Sequence, residues 1–485
     1  MSGSVRNKVL GGLIWSFAEK MGSQGISFIV SIVLARLLMP EQYGLIAMLT
    51  IIMTISNCLI NCGLAVSLVQ KKDANDLDFN TTLYCSTFFG IILYLLMYTS
   101  APLVASFFNQ PQLVILTRVY TLSFLWSGYS SVLNAYISRN LLFKKMFVRT
   151  VIANITSGIV GISLAYNDFG VWALVAQSFT ASIVGLIALQ ISIDWRPRLQ
   201  FAWARAKGLL SFGLNVAGAD LIGTFFNELR SLLIGKFYKP ADLALYNKGC
   251  NLPQLISSNI EGALSAVLFP VMSQTGDERG RVKVLLSKSM KTTSYTMFFF
   301  LTTLIVVSEP LVRLLFTEKW IGCVPYMQLM CLDKMFSIIS NANLQALKAI
   351  GEGKALLKLE IYKKPVFLTM ALIGAHIGVL ALAVTLPLYS IYAAIVNMQP
   401  NKKFLSYSIK EQVLDIMPAL ILSALMGLLL YPINSFQIND LCKILIISVS
   451  CAVVYFGVSY IAKLESFFYV TSVFQDALAK VKRKN

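Results

Sequence analysis

Histidine occurs once in these 485 residues, at position 376, in a predicted outer turn with no triad or metal-binding set around it. Catalytic triads and structural metal sites need several such groups held together, so no enzyme active site, metal or cofactor is expected. Charge is also scarce: Asp, Glu, Lys and Arg make up 13% of the chain, against ~25% in ordinary soluble domains. A phosphate-binding loop is missing. Gly353–Lys354 is the nearest approach, but Ala355 follows it and the first glycine is absent, which leaves ATP hydrolysis unsupported. Asp76 and Asp78 form a DxD pair, but no nucleotide-binding domain accompanies it, and a solvated inner loop is the expectation. The eight cysteines are scattered; Cys58 and Cys62 share a helical face without histidine or acidic partners and read as small packing residues. No segment is long enough for a separate soluble domain. No long outer loop carries the histidines and arginines that a membrane polymerase or ligase would need. The first twenty residues have the basic start of a signal peptide, but Glu19 and Lys20 interrupt the apolar core and no small-residue cleavage site follows. A retained first span is expected.

What the chain has instead is apolar length. Hydrophobic residues make up 56% of it, and the mean hydropathy of +0.70 requires a surface facing something other than water. About 20 apolar residues cross a bilayer as a helix, and in hydrocarbon only helices and closed barrels satisfy every backbone group. The expected fold is all-α and polytopic. It has about fourteen spans, at 10–34, 43–69, 81–107, 113–137, 150–166, 169–193, 208–235, 249–273, 292–315, 321–347, 361–375, 377–398, 413–432 and 441–462. Lys363 and Lys364 must snorkel from the eleventh.

The formal charge of +18 is topogenic rather than a sign of nucleic acid. With the N-terminus inside, most of the 41 lysines and arginines fall at inner ends, for example Lys71, Lys72, Arg139, Lys144, Lys145, Arg149 and Arg279–Lys291. Outer ends hold only Arg36, Arg118, Lys236, Lys239, Lys248, Arg313, Lys319 and Lys443. The positive-inside rule then places both termini in the cytoplasm, with anionic membrane lipids as neighbours of the basic ends.

Three phrases recur. "ARLLMPEQYGL" at Ala35–Leu45 returns as "GKFYKPADLAL" at Gly235–Leu245; "SAPLVASFF" at Ser100–Phe108 returns as "SEPLVRLLF" at Ser308–Phe316; "FGVWAL" at Phe169–Leu174 returns as "IGVLAL" at Ile377–Leu382. Their order and near-constant offset argue for duplication. Six spans separate each pair, so the halves share orientation and form two six-helix lobes in a parallel pseudo-twofold repeat, a substrate site lying between them. The expected lobes are 1–200 and 201–400, with two extra helices and a basic cytoplasmic tail in 401–485.

Polar side chains inside the spans repeat at three and four residues, which keeps each set on one face. The sets are Ser16, Lys20, Ser23 and Ser27; Thr50, Thr54, Asn57 and Asn61; Ser123, Ser127, Ser130 and Asn134; Asp220, Thr224, Asn227 and Ser231; Gln254, Ser258, Glu261 and Ser265; and Asp333, Ser337 and Ser340, with Asn341 adjacent. Single hydroxyls suit helix–helix contacts. Intramembrane charges cost at least ~2.5 kcal/mol each and mark function by default. Lys20, Arg230, Asn57, Asn61, Asn134 and Asn227 are therefore candidate substrate contacts, and Glu19, Asp220 and Glu261 candidate ion carriers. Lys20 and Asp220 sit at equivalent levels of the two halves, where they would either pair or leave the lysine to substrate.

"ARLLMPEQYGLIAM", "SLVQKKDANDLDFNTTLYCSTFFG", "LLIGKFYKPADLALYNKGCNLPQLI" and "LFPVMSQ" resemble signatures of Wzx-type bacterial polysaccharide flippases, members of the multidrug/oligosaccharidyl-lipid/polysaccharide exporter superfamily. The resemblance covers essentially the whole chain. It implies two six-helix lobes around a central cavity in the bacterial cytoplasmic membrane. It also implies movement of an undecaprenyl-diphosphate-linked oligosaccharide from inner to outer leaflet, with polysaccharide polymerase and export machinery as further partners. A multidrug exporter of the same superfamily is the alternative and would have a smaller cavity with more aromatic and acidic lining. A membrane polymerase or ligase is the more distant one.

Overall fold

The computed structural model describes residues 3–61, 63–71, 73–275 and 278–472. Among them every regular element is helical. The helices are α1 (Gly3–Leu37), α2 (Pro40–Asn61), α3 (Leu64–Gln70), α4 (Asp76–Phe108), α5 (Leu113–Tyr120), α6 (Phe124–Asn140), α7 (Phe143–Tyr166), α8 (Val171–Ser192), α9 (Trp203–Phe237), α10 (Pro240–Gln274), α11 (Arg279–Phe316), α12 (Val324–Ala349), α13 (Gly353–Ile377), α14 (Val379–Leu405), α15 (Ile409–Leu430) and α16 (Asp440–Ile461). Each expected span coincides with a helix or a broken helix. The second is split into α2 and α3 around Gly63, and the fourth into α5 and α6 by a 3-10 turn at Thr121–Ser123. Among the described residues eight helical segments are long and apolar enough to cross a membrane, nine if the bent α9 counts as one span.

Local chemistry sets the ends. Pro40 and Pro240 open α2 and α10, where the missing amide donor costs nothing. Asn75 and Asp78 form a reciprocal capping box on α4, and Ser408 and Glu411 form another on α15. The recurring phrases fall on matching elements. Pro102 and Pro310 lie inside the last turns of α4 and α11. Gly170 and Gly378 immediately precede α8 and α14.

By its contacts the chain divides into two compact units, Met1–Ala244 and Leu245–Asn485. In the first, α7 packs on α1 and α8, and α4 on α5 and α6. In the second, α13 packs on α14 and α11 on α12, while α15 and α16 also pack on α11. The sequence repeat would start its second half at residue 201, yet α9 makes its contacts with α2, α3 and α4. Glycines permit this. A Cβ at Gly63, which has φ +60°, would lie 2.4 Å from the Gly213 carbonyl oxygen, and one at Gly44 would lie 1.9 Å from that of Pro240. Gly44 and Pro240 belong to the two copies of one phrase, which therefore approach each other backbone to backbone. In the second unit, α16 is fixed by Tyr295 Oη donating to Ser459 Oγ at 2.8 Å and Tyr455 Oη donating to the Tyr295 carbonyl at 2.8 Å.

Candidate functional site

Helices α2, α3, α5, α6, α7 and α8 enclose a cavity of about 850 Å³ within the first unit. Its polar lining is mostly amide and hydroxyl: Asn57 and Asn61 from α2, Ser127, Ser130 and Asn134 from α6, Ser178 and Ser182 from α8. The i, i+4 spacing of Asn57 and Asn61, and the three- and four-residue spacing along α6, turn these groups to one side of each helix. Tyr120, Trp126 and Phe179 add aromatic faces. Their polar ends are tied across helices, Tyr120 Oη to Ser178 Oγ at 3.2 Å and Trp126 Nε1 to Ser182 Oγ at 3.1 Å. Trp126 and Phe179 are 5.6 Å apart between ring centroids, in a tilted arrangement. The volume lies in the ~300–1,000 Å³ range of sites that bury most of a sizeable small-molecule ligand.

Asn57, Asn61 and Asn134 are thus brought together on one cavity. Ser127 Oγ donates to Asn57 Oδ1 at 2.7 Å, and the buried Asn61 Oδ1 has no hydrogen-bond partner among the described residues. Arg149, counted from sequence among the cations at inner span ends, also lines this cavity and donates through Nη1 to Asn134 Oδ1 at 3.0 Å. The reason is register: α7 starts at Phe143, not at 150, and places Arg149 nearly two turns into the helix.

The remaining candidates lie elsewhere. Glu19 is half-buried and accepts from Thr150 Oγ1 at 3.1 Å, on the interface between α1 and α7. Ser23 and Ser27 serve that interface, since Asn154 Nδ2 donates to their hydroxyls at 3.2 and 3.1 Å. They act as helix contacts, and the Ser16 side chain lies outside the described residues, as does Cys62. Lys20, Asp220 and Asn227 are exposed and Arg230 is buried in α9; none of the four lines the large cavity. Among the described residues no ion pair joins Lys20 to Asp220, so the structure does not pair them. Asp78 is corrected outright. It is buried in the first turn of α4 rather than solvated.

Glu261 lines a second cavity, of about 240 Å³, in the second unit, with Ser265, Asn341 and Gln345 around it. Gln345 Nε2 donates to Ser265 Oγ at 3.4 Å. Asp333 and Lys334 form an ion pair of 3.5 Å on the same helix as Asn341. Facing amides there serve helix contacts: Asn401 Nδ2 donates to Asn343 Oδ1 at 2.6 Å and Asn397 Nδ2 to Ser340 Oγ at 2.5 Å.

Known proteins are similar to this chain in sequence or in fold. The chain is 24% identical over 446 residues to the lipopolysaccharide biosynthesis protein WzxC of Escherichia coli (strain K12), covering 88% of this chain and 89% of that one. It is 23% identical over 342 residues to the succinoglycan biosynthesis transport protein ExoT of Rhizobium meliloti (strain 1021), covering 70% and 69%. Its fold is similar to a solved structure of the lipid II flippase MurJ in an inward closed conformation, with a TM-score of 0.71 and 14% identity over 95% of this chain and 100% of that one. Residues 33–325 match the family described as polysaccharide biosynthesis protein, and the chain, a multi-pass membrane protein, belongs to that family.

Proposed function

We propose that this protein is an alternating-access flippase that carries undecaprenyl-diphosphate-linked oligosaccharide from the inner to the outer leaflet of the bacterial cytoplasmic membrane, for surface or exo-polysaccharide synthesis. The observation that carries the reading is the large cavity, whose amides and hydroxyls match a hydroxyl-rich glycan and whose aromatic faces suit sugar rings. No aspartate or glutamate is among its described lining residues, which favours a glycan over the cationic substrates of a drug exporter. The names of WzxC and ExoT, both polysaccharide biosynthesis proteins, point the same way.

Each part of the substrate has a counterpart. Asn57, Asn61, Ser130 and Asn134 exchange hydrogen bonds with sugar hydroxyls that leave water. Arg149, with Lys20 and Arg230, supplies positive charge toward the diphosphate, and Asn227 adds an amide on α9. The polyprenyl tail stays in lipid. The repeat gives the moving parts, 1–200 and 201–400 as six-helix lobes among fourteen spans, with 401–485 as an appended pair. Energy comes from an ion gradient or the membrane potential, with Glu19, Asp220 and Glu261 as the carboxylates that take up and release the ion. A polysaccharide polymerase and export machinery would receive the product, and anionic lipids would surround the basic ends.

Both termini are proposed to be cytoplasmic. A cysteine placed at position 279 in a background without native thiols should stay unlabelled by an impermeant reagent in intact cells; labelling from outside would reverse the orientation. For the function itself, deleting the gene should deplete a surface polysaccharide and leave carrier-linked oligosaccharide on the inner leaflet. Normal surface glycan with raised sensitivity to cationic drugs would contradict the proposal.

A further inference from the structure

The first unit holds a second polar cavity. It encloses about 470 Å³ and is lined by Ser67, Gln70, Lys71, Arg205, Gly208 and Leu209, from α3, its C-terminal cap and α9. Its charge is organised by one buried carboxylate. Asp78 is 0% exposed, and its Oδ1 takes both Lys71 Nζ at 2.6 Å and Arg205 Nη1 at 3.4 Å. Its Oδ2 accepts from the Asn75 amide at 3.1 Å, so capping α4 fixes the carboxylate that holds the two cations. One carboxylate between two cations leaves net positive charge. Arg139 adds to it, donating through Nη1 to the carbonyls of Leu68, at 2.9 Å, and Lys71.

The first turn of α9 borders the same cavity, and its N-cap residue, Ala202, offers no side-chain acceptor to the free amides there. The start of α9, without a side-chain cap, favours an anion, and here it stands beside a lysine and an arginine. The preceding strap is bound to α4: the Arg198 amide donates to Asn80 Oδ1 at 2.9 Å and the Ala202 amide to Thr81 Oγ1 at 3.3 Å. It carries Leu199, 95% exposed, and leads into Trp203, 71% exposed, with Phe201 between them. Exposed apolar and aromatic groups among Arg196, Arg198 and Lys207 have the composition of a membrane–water boundary. Gln70 lines both this cavity and the large one, so the two adjoin.

The geometry points to a binding site for the phosphate of a membrane lipid, either an anionic phospholipid or a polyprenyl phosphate, held by Lys71, Arg205 and the start of α9. Lysine and arginine pockets between helices at a membrane surface recognise such headgroups by charge. The acyl or prenyl chain would leave along Leu199, Phe201 and Trp203. The site stands apart from the transport reading, because binding is measured without transport.

The test uses the detergent-purified full chain, titrated with phosphatidylglycerol, undecaprenyl phosphate, phosphatidylcholine and inorganic pyrophosphate, with bound lipid read by native mass spectrometry. At least one of the two anionic lipids should bind about tenfold more tightly than phosphatidylcholine, and Lys71→Gln/Arg205→Gln should remove that preference. Gly208→Leu is the second variant. No atom lies within 4 Å of a Cβ at Gly208, so leucine should fill the cavity with every charge in place and lower lipid binding as well. Preference for phosphatidylglycerol would identify a bulk phospholipid, and preference for undecaprenyl phosphate the carrier. Either supports the site. Wild-type lipid binding in both variants, or pyrophosphate binding as tightly as the lipids, overturns it.

Discussion

Arg149→Ala should lower export of carrier-linked oligosaccharide by roughly 10- to 100-fold while leaving membrane abundance near normal, the range following from ~1.5–3 kcal/mol for a hydrogen bond to a charged group. Arg149 is the one cation among the described residues that line the large cavity. Its partner, Asn134 Oδ1, also faces that cavity, so water can replace the lost 3.0 Å hydrogen bond and the cost to folding should be about 1 kcal/mol. Transport has no such replacement, because an anionic headgroup entering the cavity would meet hydroxyls and amides alone. Arg149→Lys should recover part of the activity, since a point charge remains but the planar fork of donors is gone. Complementation of a deletion strain, scored for surface glycan and for protein by immunoblot, separates the outcomes. Full export by a well-expressed Arg149→Ala protein would remove Arg149 from the substrate path.

Gly44→Ala should sharply reduce the amount of folded protein. A Cβ there would lie 1.9 Å from the Pro240 carbonyl oxygen and 2.2 Å from its carbon, and neither is the end of a flexible side chain. The backbone at the α9–α10 junction would have to move, and overpacking of this kind costs ~1–3 kcal/mol or more. Small residues are what allow membrane helices this close. Gly25→Ala is the matched control, because no atom lies within 4 Å of a Cβ on that mid-helix glycine of α1. There the exchange should be neutral or stabilising, up to ~1 kcal/mol, since alanine favours the helix. Fluorescence-detected size exclusion of the two variants reads the contrast. Equal yield and equal melting temperature for Gly44→Ala and wild type would show that the approach of the two phrases is not required.

Much of the architecture was legible because hydrocarbon leaves the backbone few choices. Long apolar runs had to be helices, and each expected span met one. The repeat was legible at its punctuation: Pro102 and Pro310 near helix ends, and Gly170 and Gly378 just before helix starts, mark matching elements. Periodicity fixes which residues share a face but not which neighbour that face meets. Asn57, Asn61, Ser130 and Asn134 turned to the cavity, whereas Ser23 and Ser27, with the same spacing, turned to Asn154 of α7. Hydropathy alone starts this span late and leaves Arg149 at its inner end; the basic stretch before it is already helix. A DxD pair looks hydrophilic and points Asp78 to solvent, yet Lys71 and Arg205 neutralise it where it is buried. The placement of α9 against α2, α3 and α4 depends on glycine contacts between residues far apart in the chain, which no local pattern encodes.

The most direct measurement is transbilayer movement in a purified system. Proteoliposomes containing this chain alone, with undecaprenyl-diphosphate-linked oligosaccharide on one leaflet and an impermeant glycan-modifying enzyme on the other side, report movement as modification of the lipid. Wild-type protein should make the glycan accessible much faster than protein-free liposomes do, and Arg149→Ala should slow that exposure at equal reconstitution. Exposure no faster than in protein-free liposomes, with an ion gradient or membrane potential imposed in either direction and with the protein shown to be folded, would contradict the flippase assignment.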